Sequence, residues 1–160
     1  ASDVYKRQPL EWECAADVAG ITGGWNLPQF ASGDWQVVAL DTNSEIPAKG
    51  NGVQPKEGPD GLFTWYRVEF ELPKREAGVW IPWLARINAS GNGFMWLNGH
   101  NIGRHWEAGP QREFYLPECW LDFGPGKKNV LVMGLRQTAN GAKLKAMEIA
   151  PYRDMAEIRK

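Results

Sequence analysis

Gly93-Phe-Met-Trp-Leu-Asn-Gly-His-Asn-Ile-Gly-Arg-His-Trp106, continuing through Gly109-Pro-Gln111 to Tyr115-Leu-Pro117, decides the fold. Phe94 to Leu97 reads as a strand. Asn98-Gly99 is the strongest short-range hairpin signal, because both central residues of a type I′ turn need φ > 0. The chain then re-enters the sheet at Asn101-Ile102. Gly103 follows, where a strand glycine points to a bulge or a close backbone approach. Arg104-His105-Trp106 is a polar-aromatic cluster. Gly109-Pro110 turns the chain, and Arg112 to Leu116 begins another strand.

Strands extend outward from this hairpin in both directions. Phe63 to Leu72 is the clearest. Thr64, Tyr66, Val68, Phe70 and Leu72 form its core parity; Phe63, Trp65, Arg67, Glu69 and Glu71 form the other. Val79 to Ile87 reads as a strand, with Pro82 arguing for an edge or a bulge. Asn129 to Leu135 is nearly all apolar, as an interior strand is. Leu144 to Ala150 alternates and closes the series. Upstream, Pro9 to Cys14 and Asp34 to Leu40 also read as strands. Ile21 to Pro28 is loop-like, and Trp25 within it is either a plug over the core or a binding face. Residues 41–61 read as a loop of roughly 20 residues, a length that is usually functional or mobile. Glu118 to Leu121 is a short turn and 122–128 a loop. Strands recur about every ten residues with turn signals between them and no long amphipathic helix. That pattern is an all-β sandwich of jelly-roll type. Residues 1–152 are expected to form one module, and 153–160 a charged tail or linker remnant.

Composition narrows the function. The chain has 160 residues and a formal net charge of -1, which argues against nucleic acid or an anionic membrane surface as partner. No apolar run reaches the ~18 residues of a membrane span. The first eight residues carry no apolar core of a signal peptide, as a mature or excised module would also read. Nine tryptophans are the unusual feature. Some are expected to be exposed, where a flat apolar face with a polar N–H suits binding. Cys14 and Cys119 are far apart and lack metal spacing; unpaired thiols are favoured over a disulfide. Acidic residues are scattered with no acid–base pairing, His100 and His105 have no third ligand, and no nucleophile elbow or phosphate loop is present. No catalysis is therefore expected.

Three segments resemble a known family. The hairpin, with Gly109-Pro-Gln111 and Tyr115-Leu-Pro117, is similar to the pattern WxNGxNLGRYW…GPQ…LYxP of the galactose-binding-like jelly rolls in family 35 β-galactosidases. Trp65-Tyr-Arg-Val-Glu-Phe-Glu-Leu-Pro73 resembles the strand that precedes it in those domains, and Lys127 to Met133 the strand that follows. His100 replaces a frequent aromatic, Ile102 a leucine and His105 a tyrosine. The first two read as packing swaps; the third sets an imidazole beside Arg104. The resemblance implies a non-catalytic module of a secreted or extracytoplasmic, polysaccharide-degrading glycoside hydrolase. Its expected partners are an oligo- or polysaccharide and the parent's catalytic domain, and it is expected to be a monomer. The runner-up is a structural jelly roll packing on that catalytic domain. No cofactor is expected, though such domains often carry a structural calcium ion.

Sugar binding needs an aromatic face to stack on a pyranose and planar polar groups to read its hydroxyls. The candidates are Trp25, Trp80, Trp83, Arg104, His105 and Trp106. Each also has a plain packing or clamping reading, with Arg104 holding loop carbonyls and Trp106 capping the core. Trp80 and Trp83 would flank Pro82 on an edge strand.

Overall fold

The structure, a computed structural model, describes residues 19–33, 35, 54–57, 63–136 and 142–152. Two antiparallel sheets form a sandwich. The strands are β1 (Gln54–Glu57), β2 (Phe63–Glu71), β3 (Trp83–Ala89), β4 (Asn92–Leu97), β5 (His100–His105), β6 (Glu113–Leu116), β7 (Lys128–Arg136) and β8 (Leu144–Pro151). One sheet runs β1-β2-β7-β4-β5 and the other β6-β3-β8. A four-residue helix, Ala19–Thr22, and a 3₁₀ turn, Glu118–Trp120, are the helical pieces among the described residues. The described residues form an all-β sandwich.

The hairpin forms as its sequence dictates. Asn98 has φ 47° and Gly99 φ 87°, the two positive values of a type I′ turn. Pairing slips between Met95 and Trp96: Met95 faces Gly103 while Trp96 faces Asn101. Ile102 is the extra residue of a bulge, and Gly103 takes φ 140° beside it. Arg104 and His105 lie inside β5 rather than after it, so they point to opposite faces.

The principal core lies between the sheets. Tyr66, Val68, Phe70, Met95, Leu97, Leu131, Met133 and Leu135 meet Trp83, Ala85, Ile87, Phe114, Leu116, Met147 and Ile149. β7 is buried along nearly its whole length, because it is central in its sheet.

A second core was not anticipated. Trp65, Trp96, Val130 and Val132 point outward from the five-stranded sheet and are covered by Trp25, Phe30 and Trp35. Trp65 stacks on Trp96 at 5.3 Å, and Trp25 meets Trp65 edge-on at 5.9 Å. Gly20 lies against the Trp65 indole so closely that a Cβ there would be 2.5 Å from the ring. Arg67, on the parity opposite the core face, is only 2 % exposed. Its Nη1 donates to the Leu27 carbonyl at 2.9 Å and its Nη2 to that of Pro28 at 2.7 Å. Both faces of β2 are thus covered, and the alternation does not separate core from solvent.

Other expectations need correction. The strand expected from Val79 begins at Trp83; Val79, Trp80 and Ile81 precede it and are exposed. β3 is the central strand of its sheet, not an edge, because Pro82 stands just outside it. The Pro82 carbonyl accepts from the Tyr152 N–H at 2.9 Å. The expected 41–61 loop contains β1, which pairs with β2 from Gln54↔Arg67 to Glu57↔Thr64. The expected strand at Pro9–Cys14, most of that at 34–40, Cys14 and the 153–160 tail lie outside the described residues.

Candidate functional site

Strand register sorts the candidate residues by position. Glu71 faces Lys128 and Leu97 faces Leu131, so the Asn98-Gly99 turn, the 72–82 connection and the 117–127 segment share one end of the sandwich. The Ser90-Gly91 turn and the 106–112 loop share the other. Trp80 and Trp83 belong to the first end, His105 and Trp106 to the second, and Trp25 to the outer face of the five-stranded sheet. The structure does not bring the six candidates into one site.

The hairpin end is held by asparagines. Asn98 Nδ2 donates to the Trp120 carbonyl at 2.6 Å and to Asn129 Oδ1 at 2.9 Å, while its Oδ1 accepts from the Val130 N–H at 2.7 Å. Asn129 is fully buried; it accepts from the Asp122 N–H and donates to the Asp122 carbonyl, both at 2.8 Å. His100 stacks on Trp120 at 4.5 Å with the rings 7° apart, and Ile102 packs on the core. Both are packing positions, as read from the sequence.

Next to this network lies the most site-like group of candidates. Trp80 is 53 % exposed, and its Nε1 donates to Glu118 Oε2 at 2.6 Å. Glu118 Oε1 in turn pairs with Arg75 at 2.9 Å, and the Arg75 guanidinium lies 4.0 Å over the Phe123 ring. A cleft of about 170 Å³ opens beside Arg75, Glu118 and Phe123, with Lys74, Glu76, Val79 and Ile81 on its walls; Trp80 stands outside its lining. The indole is therefore fixed by its own N–H while its face meets solvent. Arg75, Glu118 and Phe123 were not singled out from sequence, because two connections distant in the chain, 72–82 and 117–127, supply this cluster. Trp83 is only 5 % exposed and packs in the principal core, reaching this cleft only at its floor.

The opposite end is a structural loop. The clamp expected of Arg104 is made by Arg112, which donates to the carbonyls of Trp106 (3.1 Å), Gln111 (3.2 Å) and Glu107 (2.6 Å). Glu107 closes the loop further, its Oε2 accepting from the Gly91 N–H and its own N–H donating to Asn92 Oδ1. Arg104 is exposed opposite Phe94. Trp106, expected as a core cap, is 53 % exposed and lies on Gly109 instead. His105 is 0 % exposed, its Nε2 lying 3.2 Å from the Ala89 carbonyl. A carbonyl only accepts, so Nε2 carries the proton. Nδ1 is buried with no hydrogen-bond partner. Burial pushes this imidazole below its ordinary range, with the Ala89 carbonyl opposing and the Arg112 charge reinforcing the shift. A ring so enclosed acts in packing, not in contact with ligand.

Among the described residues, no three His, Cys, Asp or Glu side chains gather as a metal site requires. Cys119 is exposed and outside any disulfide among them.

Comparison with known proteins fits this geometry. Residues 63–126 match the family "Beta-galactosidase, galactose-binding domain", which spans β2 through the loop before β7. The chain carries a galactose-binding-like domain of the family 35 β-galactosidases. Beta-galactosidase-1-like protein 3 of Homo sapiens is 55 % identical over 117 residues, 72 % of this chain and 17 % of that protein. Beta-galactosidase 14 of Arabidopsis thaliana is 32 % identical over 100 residues, 58 % of this chain and 10 % of that protein. The chain thus spans less than a fifth of the length of either relative.

Proposed function

We propose that this domain is a non-catalytic carbohydrate-binding module of a glycoside hydrolase, with its glycan stacking on Trp80. The observation that carries this reading is the fixed, half-exposed Trp80 indole beside the Arg75–Glu118 pair. An aromatic platform that is already oriented loses little freedom on binding, and a guanidinium and a carboxylate next to it suit sugar hydroxyls. The site is shallow, so micromolar to millimolar affinity is expected. The parent's catalytic domain is the proposed protein partner and the module itself is a monomer. Placement outside the cytoplasm is inferred from the family alone.

Affinity electrophoresis through gels containing galactan, xylan, glucan or mannan tests this. Retardation in at least one gel is expected, weakened about tenfold or more by Trp80→Ala. Unretarded migration in every gel sinks the proposal, as does a Trp80→Ala variant that migrates like the parent.

One observation favours a structural role instead. Val79, Trp80 and Ile81 are consecutive and all exposed, a run that suits contact with protein. Under that reading the chain binds no glycan and self-associates through this loop, with sedimentation slowing to the monomer rate in Ile81→Lys.

A further inference from the structure

The outer face of the three-stranded sheet holds a second polar constellation, away from Trp80. Arg86 stands on the central strand β3, opposite Glu113 on β6 and Glu148 on β8. Its Nε donates to Glu113 Oε1 at 2.7 Å and its Nη1 to Glu148 Oε2 at 3.3 Å. These groups, with Asn88 and Arg112, line a cleft of about 430 Å³, the larger of the two described above and here. Two residues along β6 from Glu113, and hence on the same face, Tyr115 is half-exposed. Arg86 and Asn88 share this face on β3, an open strip of roughly 7 Å at strand rise, while Leu84, next along the same parity, is buried and closes it.

We propose that this face is a second glycan-binding site, selective for neutral oligosaccharides. Arg86 engages one oxygen of each carboxylate. Glu113 Oε2 and Glu148 Oε1 are left to accept from hydroxyls, and Arg86 Nη2 is left to donate. Asn88 adds both a donor and an acceptor, and Tyr115 supplies a ring at the edge of the strip. The charges set the ligand class. Two guanidiniums and two carboxylates balance across the cleft, so no net field favours a uronate or a sulfated sugar. The same balance disfavours a metal ion, since Arg86 and Arg112 together offset the charge of the acidic pair. The triad also holds its side chains in place before a ligand arrives, which limits the ordering cost of binding. This site shares its ligand class with the Trp80 proposal but none of its residues.

Calorimetry on the full chain separates the two sites. Galactobiose and xylotriose serve as neutral probes and digalacturonate as the charged one, each in low and in about 0.5 M salt. Trp80→Ala is expected to keep measurable affinity for a neutral probe, unchanged by salt. Adding Glu148→Gln or Asn88→Ala to it lowers that affinity by about tenfold or more. Asn88 is exposed, so Asn88→Ala reports on the site even if Glu148→Gln disturbs the sheet. The inference is overturned if Trp80→Ala alone removes all neutral-sugar binding. It is equally overturned if Asn88→Ala and Glu148→Gln leave the Trp80→Ala affinity intact, or if digalacturonate binds more tightly than the neutral probes. The first two results leave the Trp80 reading standing. Absence of binding by the parent chain to any probe removes both.

Discussion

His105 is a titratable group that its packing keeps neutral. The resembling domains place tyrosine here, and this chain places an imidazole in a fully buried position with Nδ1 unpartnered. Protonation would create a buried N–H without an acceptor, so the folded state holds the neutral ring and a depressed pKa. The sign follows directly. A histidine whose folded pKa lies below its ordinary 6.5 contributes fully above that value, and its contribution is lost as pH falls through the folded pKa. Thermal melting is expected to drop as pH is lowered from 7 to 5, and the drop should be smaller in His105→Tyr; parallel profiles would show that His105 is not responsible. Asn129 is the other decisive residue. Removing its amide leaves the Asp122 N–H and carbonyl without partners at the hairpin end. Asn129→Ala is expected to cost about 2–4 kcal/mol in denaturant titration, the range for stranding two polar groups.

At the level of elements, the 19–35 segment is a cover latched to the five-stranded sheet by Arg67. The guanidinium reaches two successive carbonyls with two separate nitrogens, a fork that lysine cannot reproduce. Arg67→Lys is expected to lose about 2–3 kcal/mol and to shift tryptophan emission to the red as Trp25, Trp35 and Trp65 become wetter. Gly20→Ala tests the same cover from the other side, because its new methyl meets the Trp65 ring; emission unchanged in both variants would mean the cover is not held this way. This element was the hardest to read from sequence. Alternation along β2 identifies the inner face through Tyr66, Val68 and Phe70, but names only one core face. Phe63 and Trp65 on the opposite parity were the available signal, since two large aromatics there suit a strand buried on both faces. The Asn98-Gly99 turn and the bulge at Gly103 were legible, because each meets a local backbone demand. The clusters at Trp80 and Arg86 were not, because the first joins two distant connections and the second three strands, and both depend on register and loop paths.

The whole molecule depends on one seam. The five-stranded sheet joins β1-β2-β7 to β4-β5 through the β4–β7 pairing alone. That pairing positions the hairpin, and with it the Asn98–Asn129 network that holds the 3₁₀ turn bearing Glu118. At the seam Gly93 passes so close to β7 that an added Cβ would overlap the Gly134 carbonyl, which is backbone and has no rotamer to move. Gly134 itself is roofed by Trp65, so β7 cannot shift outward without disturbing the second core. An alanine at position 93 must therefore separate the two halves of the sheet. Gly93→Ala is expected to destabilise by about 3 kcal/mol, at the upper end for overpacking, and to weaken retention on any glycan gel that retards the parent. Gly33→Ala is the matched control: among the described residues no atom lies within 4 Å of its added methyl, so its transition midpoint should stay near the parent's. Equal midpoints for Gly93→Ala and Gly33→Ala would mean that the seam yields, and that the hairpin is not what holds the Trp80 end in place.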